Sequence, residues 1–398
     1  MRNVALREPA KNHGEPFASP AIAPCWRSRV RRWIAWCVSG LGSVIEWLFG
    51  LVSLLLGLSI FAAIPLAQFL TLGYFLESSA RVARSGRLRD GLIGVRRAAR
   101  VGKAIAGVTI ALVPLWLVGS LARSAELIDP GGRVAGTWRL ALAGTTFATA
   151  LHLAGALLRG GGFFHFLWPF GHPFWVLREV RRRGLGGVYA GARDGFWEFL
   201  VSFRFPHYFR LGLVGFVGTL AWLAIPSTLI AAGGRFPALG FLGALLLAAV
   251  VPSLPFLQVR YAVEGRASAL FSIRTVRHRF RHAPWAFALA LMVLLSAAVP
   301  LYLLKIEMIP REAAWLPSLV FVAFLAPARL LVGWAYARSG RRSSPRHWMV
   351  RAIGRLAILI VALVYVLVVY FSQFTSWAGI GSLYEQHAFL LPVPFLRM

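Results

Sequence analysis

Eight long apolar stretches alternate with polar loops along the chain, and the loops switch between Arg-rich and Arg-poor in step with them. About 20 apolar residues cross roughly 30 Å of hydrocarbon as a helix, a form in which every backbone group finds its partner inside the segment. Seven stretches meet that length: 104–123, 138–158, 211–232, 239–259, 285–304, 315–336 and 356–377. The eighth, 33–78, has 46 residues and as one straight helix would run roughly 69 Å, too long for a single crossing. Gly57, Ser59 and Pro65 lie near its middle, so it reads as a helical hairpin or re-entrant pair whose two ends share one side. The expected fold is all-α, a polytopic transmembrane helix bundle with seven clear spans plus this N-terminal pair.

Basic residues near the ends of spans are retained in the cytoplasm. Segments 1–32, 79–103, 159–210, 260–284 and 337–355 hold 35 of the 43 Lys and Arg residues, and the alternate segments 123–139, 233–238, 305–314 and 375–398 hold 7. Arg329 alone lies well inside a span. The asymmetry places the N-terminus in the cytoplasm and the C-terminus outside, and it requires an even number of crossings in 33–78. A net charge of +29 would ordinarily suggest nucleic acid, but the charges sit in short segments between apolar runs and form no stripe or arm. With 58% hydrophobic and 14% charged residues, the solvent implied is lipid. The partners expected are the bilayer and its anionic phospholipid headgroups, with a membrane-protein partner in addition and no nucleic acid. Cys25 and Cys37, both on the reducing side of this topology, are expected to stay as thiols.

Two segments lie outside the spans. Residues 1–32 mix Pro, Ser and Arg with little apolar periodicity and read as a disordered basic cytoplasmic tail, leaving 33–398 as one multi-pass membrane domain. Segment 159–210 sets Phe163, Phe164, Phe166, Trp168, Phe170, Phe174 and Trp175 before Arg181, Arg182 and Arg183. Rings at the interface and guanidinium groups on phosphates suit helices lying in the cytoplasmic headgroup layer. The three arginines are the candidate headgroup contacts.

Three polar residues inside apolar stretches are the candidates for chemistry: Glu46, His152 and Arg329. A carboxylate or guanidinium deep in lipid costs about 2.5 kcal/mol or more on insertion scales, so each is expected to be paired or near an interface. Glu46 reads as an interfacial residue at the start of a span, with a proton or cation site as the sharper reading. Arg329 lies nine residues before Arg338, within reach of snorkelling toward the headgroups; otherwise Glu46 or a lipid phosphate would hold it. His152 reads as a hydrogen-bonded packing residue. His278 and His282 are spaced for one helix face, but Arg279 stands where a zinc protease places its Glu. No metal, cofactor or catalytic set is expected. Pro65, Pro114, Pro226, Pro252, Pro255, Pro300 and Pro327 punctuate the spans, as membrane helices tolerate and as broken transporter helices require. A Tyr-x-x-Glu echo, Tyr74 and Glu77 before Arg81 against Tyr261 and Glu264 before Arg266, hints at an internal repeat.

Gly73-Tyr74, the run Ser85-Gly86-Arg87-Leu88-Arg89-Asp90-Gly91, Trp315-Leu316-Pro317-Ser318 and Leu383-Tyr384-Glu385-Gln386-His387-Ala388 resemble uncharacterised polytopic membrane proteins of planctomycete-type bacteria. The resemblance covers most of the chain after the tail. It implies a bacterial inner-membrane location and carries no activity or site. The expected role is a non-enzymatic membrane scaffold or partner-binding protein. A transporter or channel for a small solute or ion is the alternative, and a lipid-headgroup-binding membrane enzyme comes third.

Overall fold

A computed structural model describes residues 26–298, 315–375, 379–387 and 389–391. The tail 1–25, the end of the expected span 285–304 with Pro300, and the side chains of Cys25 and Cys37 lie outside the described residues. The chain divides into two units at Glu46 and Trp47. The described residues of the first are helical, so 26–32, within the segment expected as a tail, belong to a helix. The second holds the remainder.

The described residues are helical, with no strand among them. In chain order the helices are α1 Trp26–Ala63, α2 Gln68–Ser85, α3 Val95–Ile128, α4 Arg133–Leu158, α5 Phe163–Leu167, α6 Gly171–Ser202, α7 Phe205–Ala232, α8 Pro237–Val250, α9 Leu254–Glu264, α10 Ile273–Phe280, α11 Pro284–Ser296, α12 Trp315–Gly340, α13 Trp348–Thr375 and α14 Ser382–Glu385. Six helical stretches are long and apolar enough to cross a membrane, and α8 with α9, bent by 45° at 251–253, makes a seventh if counted as one span. The expected all-α polytopic bundle is the fold observed, with corrections in detail. Stretch 239–259 is not one straight helix, because Pro252 and Pro255 sit at its bend. The pair expected in 33–78 breaks at 64–67 beside Pro65, where Leu66 takes a left-handed φ of 67°.

The second half of that pair is not a lipid-facing span. From Phe69 to Val82 nearly every residue of α2 is buried, Glu77 included. Its neighbours are α7, α9 and α12. Glycines permit the closest approaches: a Cβ on Gly73 would lie 1.8 Å from the Tyr208 carbonyl oxygen, one on Gly212 1.9 Å from that of Phe69, and one on Gly333 2.3 Å from that of Ser79. Such backbone contact gives dispersion and hydrogen bonding their full weight where lipid offers no hydrophobic drive for association. Glu77 is tolerated because Arg81 Nε at 3.3 Å, Arg84 Nη1 at 3.5 Å and His207 Nε2 at 3.7 Å surround it. By contrast α3 and α4 pack on each other and bury few residues.

The turn that ends α2 recurs at the end of α9, in a register other than that of the Tyr-x-x-Glu echo. α2 ends at Gly86 (φ 72°, ψ 12°) and α9 at Gly265 (φ 71°, ψ 6°), each donating its N–H four residues back. Arg87 and Arg266 follow in extended conformation, and each opens a 3-10 turn, Leu88–Gly91 and Ala267–Phe271. Aligned on these glycines, Arg81-x-Ala83-x-x-Gly86-Arg87 matches Arg260-x-Ala262-x-x-Gly265-Arg266, whereas Tyr74 and Glu77 do not match Tyr261 and Glu264. The same offset of 179 residues carries the end of α2, Ser85, onto that of α9, Glu264.

The Gly73–Gly212 crossing gives a direct test. Gly212→Val should lower stability in detergent by about 1–3 kcal/mol or more, since overpacking here meets backbone and not a movable side chain. Thermal unfolding checks it, with Gly136→Val on the open face of α4, where a Cβ meets nothing within 4 Å, expected near neutral.

Candidate functional site

The most constrained chemistry surrounds Arg329, in the middle of α12. It is the largest fully buried side chain, with no exposed surface. Snorkelling is thereby excluded, and the anion expected to hold it is replaced by neutral oxygens. Nη1 donates to Gln258 Oε1 on α9 at 2.5 Å, and Nη2 donates to the Phe389 carbonyl at 2.6 Å. Nε has no partner among the described residues. Carbonyl dipoles can stand in for a carboxylate here because hydrogen bonds to a charged group are worth about 1.5–3 kcal/mol each, strengthened where water is absent.

Gln258 fixes both ends of the arrangement. While its Oε1 accepts from Arg329, its Nε2 donates to Thr219 Oγ1 at 2.7 Å and to the Leu390 carbonyl at 3.1 Å. Ser79 on α2 donates to the Arg329 carbonyl at 2.9 Å. Counted back from the two cap glycines, Ser79 and Gln258 occupy equivalent positions of α2 and α9, and both touch Arg329. Sequence reasoning passed over Gln258 because an uncharged amide inside an apolar run carries no motif.

The carbonyls of Phe389 and Leu390 belong to a segment that the loop assignment places outside the bundle. Its described part instead packs inside: Leu383, Phe389, Leu390 and Leu391 are at most 1% exposed. Its apolar residues are too few for a span, yet they fill the bundle once the backbone is held. His387 secures the other side, with Nδ1 2.6 Å from Tyr365 Oη on α13 and Nε2 3.3 Å from Ser227 Oγ on α7, while Tyr384 Oη lies 2.9 Å from Thr228 Oγ1. Four helices, α7, α9, α12 and α13, thus hold the segment by polar contacts.

The other candidates lie elsewhere. Glu46 is exposed, about two turns into the apolar stretch Ser39–Ala63. His152 on α4 donates through Nε2 to the Phe166 carbonyl at 2.8 Å, and its ring lies 4.9 Å from that of His172. Arg159 donates to His172 Nδ1 at 3.3 Å. Burial, and then the neighbouring His152, hold the His172 imidazole below its ordinary pKa. Arg181, Arg182 and Arg183 are exposed on α6, where Arg183 pairs with Glu179 at 2.7 Å and Gly184 (φ 72°) kinks the helix. Phe164, Trp168, Phe170 and Phe174 are exposed alongside. Among the described residues no three His, Cys, Asp or Glu side chains group as metal ligands. No protein-family model matches the chain, and neither a curated protein nor a solved structure matches it.

Removing the guanidinium leaves Gln258 Oε1 and the Phe389 carbonyl without a donor, at about 1–3 kcal/mol each. Arg329→Met should therefore destabilise the detergent-solubilised protein by about 2–5 kcal/mol and expose 379–391 to protease. In a double-mutant cycle Arg329→Met should couple to Gln258→Leu and add simply to Glu46→Gln. The reverse pattern would restore the ion pair and discard the neutral network.

Proposed function

We propose that the protein is a non-enzymatic inner-membrane scaffold that binds a partner helix in the bilayer. The observation that carries this reading is the outer face of α4. Gly136 and Gly144, with a Cβ meeting nothing within 4 Å at either, stand two turns apart on one side of a helix whose main neighbours among the described residues are α3, the short α5 and α6. Small residues on a lipid-exposed helix let a second backbone approach closely. Inside the fold the same device serves at Gly73 and Gly212. On α4 the partner helix is another chain's. Within the second unit His152 and Arg329 are each engaged by partners of their own, which supports the scaffold reading over transport. The bend between α8 and α9 supports the transporter alternative, in which 379–391 would leave its seat during a cycle.

Orientation follows from charge: the N-terminus is cytoplasmic and the C-terminus external. Arg181, Arg182 and Arg183 then face the inner leaflet, and α6 with its exposed aromatics lies on anionic headgroups. The likeness to planctomycete-type membrane proteins supports the inner membrane as the location.

Two measurements test this reading. Gly144→Ile should abolish cross-linking or co-purification of the partner, or of a second copy, while leaving the melting temperature within about 1–2 °C, because nothing in the fold touches that position. Association that survives the substitution refutes the interface. Separately, reporter fusions after Ser344 should behave as cytoplasmic and fusions after Arg235 as periplasmic; the opposite result overturns the orientation.

A further inference from the structure

The C-terminal end of α12 presents Trp334, Ala337 and Arg338 at positions i, i+3 and i+4, which share one helix face, and Arg341 follows in the turn after Gly340. With Arg342 and Gly86 they line a cavity of about 240 Å³. Its chemistry is one-sided. Three guanidinium groups surround it, no carboxylate lines it, and among the described residues none of the three forms an ion pair. Arg341 is already committed: its Nη2 donates to the Ser85 carbonyl at 2.9 Å, at the negative end of α2. It approaches so closely that a Cβ on Gly86 would lie 1.9 Å from Nη2. Arg338 lies over the Trp334 ring, 5.4 Å from its centroid, a contact that positions the guanidinium plane while leaving its N–H donors unused. Arg338 and Arg342 thus bring unneutralised charge to a pocket with an indole wall, in the basic segment 337–355 beside the end of a span.

We propose that this pocket binds a phosphate-bearing anion, with Arg338 and Arg342 as its ligands and Trp334 as the wall against which the attached carbon chain or glycerol lies. Guanidinium forks match phosphate oxygens two at a time, and burial against the indole favours an organic phosphate over a bare ion. The phosphate can come from a lipid headgroup reaching the pocket from the membrane, or from a soluble phosphorylated compound. This site is separate from α4 and does not rest on the scaffold reading.

The test uses the delipidated full chain in detergent and reads thermal shift and adduct mass by native mass spectrometry. The probes are a phosphatidylglycerol, a phosphatidylcholine, glycerol phosphate and inorganic phosphate. Phosphatidylglycerol should stabilise the protein and be retained as an adduct, R338Q/R342Q should weaken it about tenfold, and R274Q/R277Q, which removes equal charge from exposed positions of α10, should leave it unchanged. Should R338Q/R342Q fail to fold, A337L, which fills the cavity without removing charge, is expected to weaken binding similarly. Protection by the lipid alone assigns the headgroup as the source, and equal protection by glycerol phosphate assigns the soluble compound. Equal effects of phosphatidylglycerol and phosphatidylcholine, equal losses in the two double variants, or no protection by any probe would overturn the site.

Discussion

A single buried cation organises the second unit. The Arg329 guanidinium has lost all contact with solvent, and what keeps that state bound is a set of oxygens brought from two distant parts of the chain: the Gln258 amide on α9 and the Phe389 backbone. Moving a charge into a medium of low dielectric is unfavourable by several kcal/mol unless its donors are met. The geometry of α9, the seat of residues 379–391 and the Ser79 bond from α2 are therefore linked conditions. Loosening any of them leaves a charge or an acceptor without a partner in apolar surroundings.

Packing in the second unit is uneven. α11 packs on both α12 and α13, and α12 supplies the buried cation, whereas α3 and α4 keep mainly each other's company. One element recurs, the turn in which a left-handed glycine ends a buried helix and an arginine follows in extended form. Each turn also receives help from a distant arginine: Arg84 of α2 donates to the Ala262 carbonyl at 2.9 Å, near the end of α9, just as Arg341 serves the end of α2.

The sequence made the lipid-facing helices legible because their signal is uniform apolar composition. Span 211–232 ends where α7 ends, at Ala232, and span 138–158 ends where α4 ends, at Leu158. The same rule misread α2, whose Glu77, Arg81 and Arg84 make it look like a span tapering into a loop. Burial there depends on glycine contacts and a local ion cluster, neither of which raises hydropathy. The partner of Arg329 stayed hidden for a related reason. A sequence displays carboxylates but not carbonyls, and Phe389, 60 residues later, contributes its backbone and not its side chain. Residues 382–391 were read as loop because a seat inside a bundle needs far fewer apolar residues than a crossing.

The order in which these parts are made has a consequence for biogenesis. During synthesis α12 enters the bilayer before residues 386–391 exist, so for that interval its guanidinium must be met by water, by headgroups or by the insertion machinery. Closure of the bundle has to wait for that segment, and it proceeds by exchange of those temporary partners for Phe389. A protein lacking residues 386–391 would lose only a short segment of sequence, yet it would reach the membrane with its central charge still waiting, and quality control would meet it as an unfinished molecule.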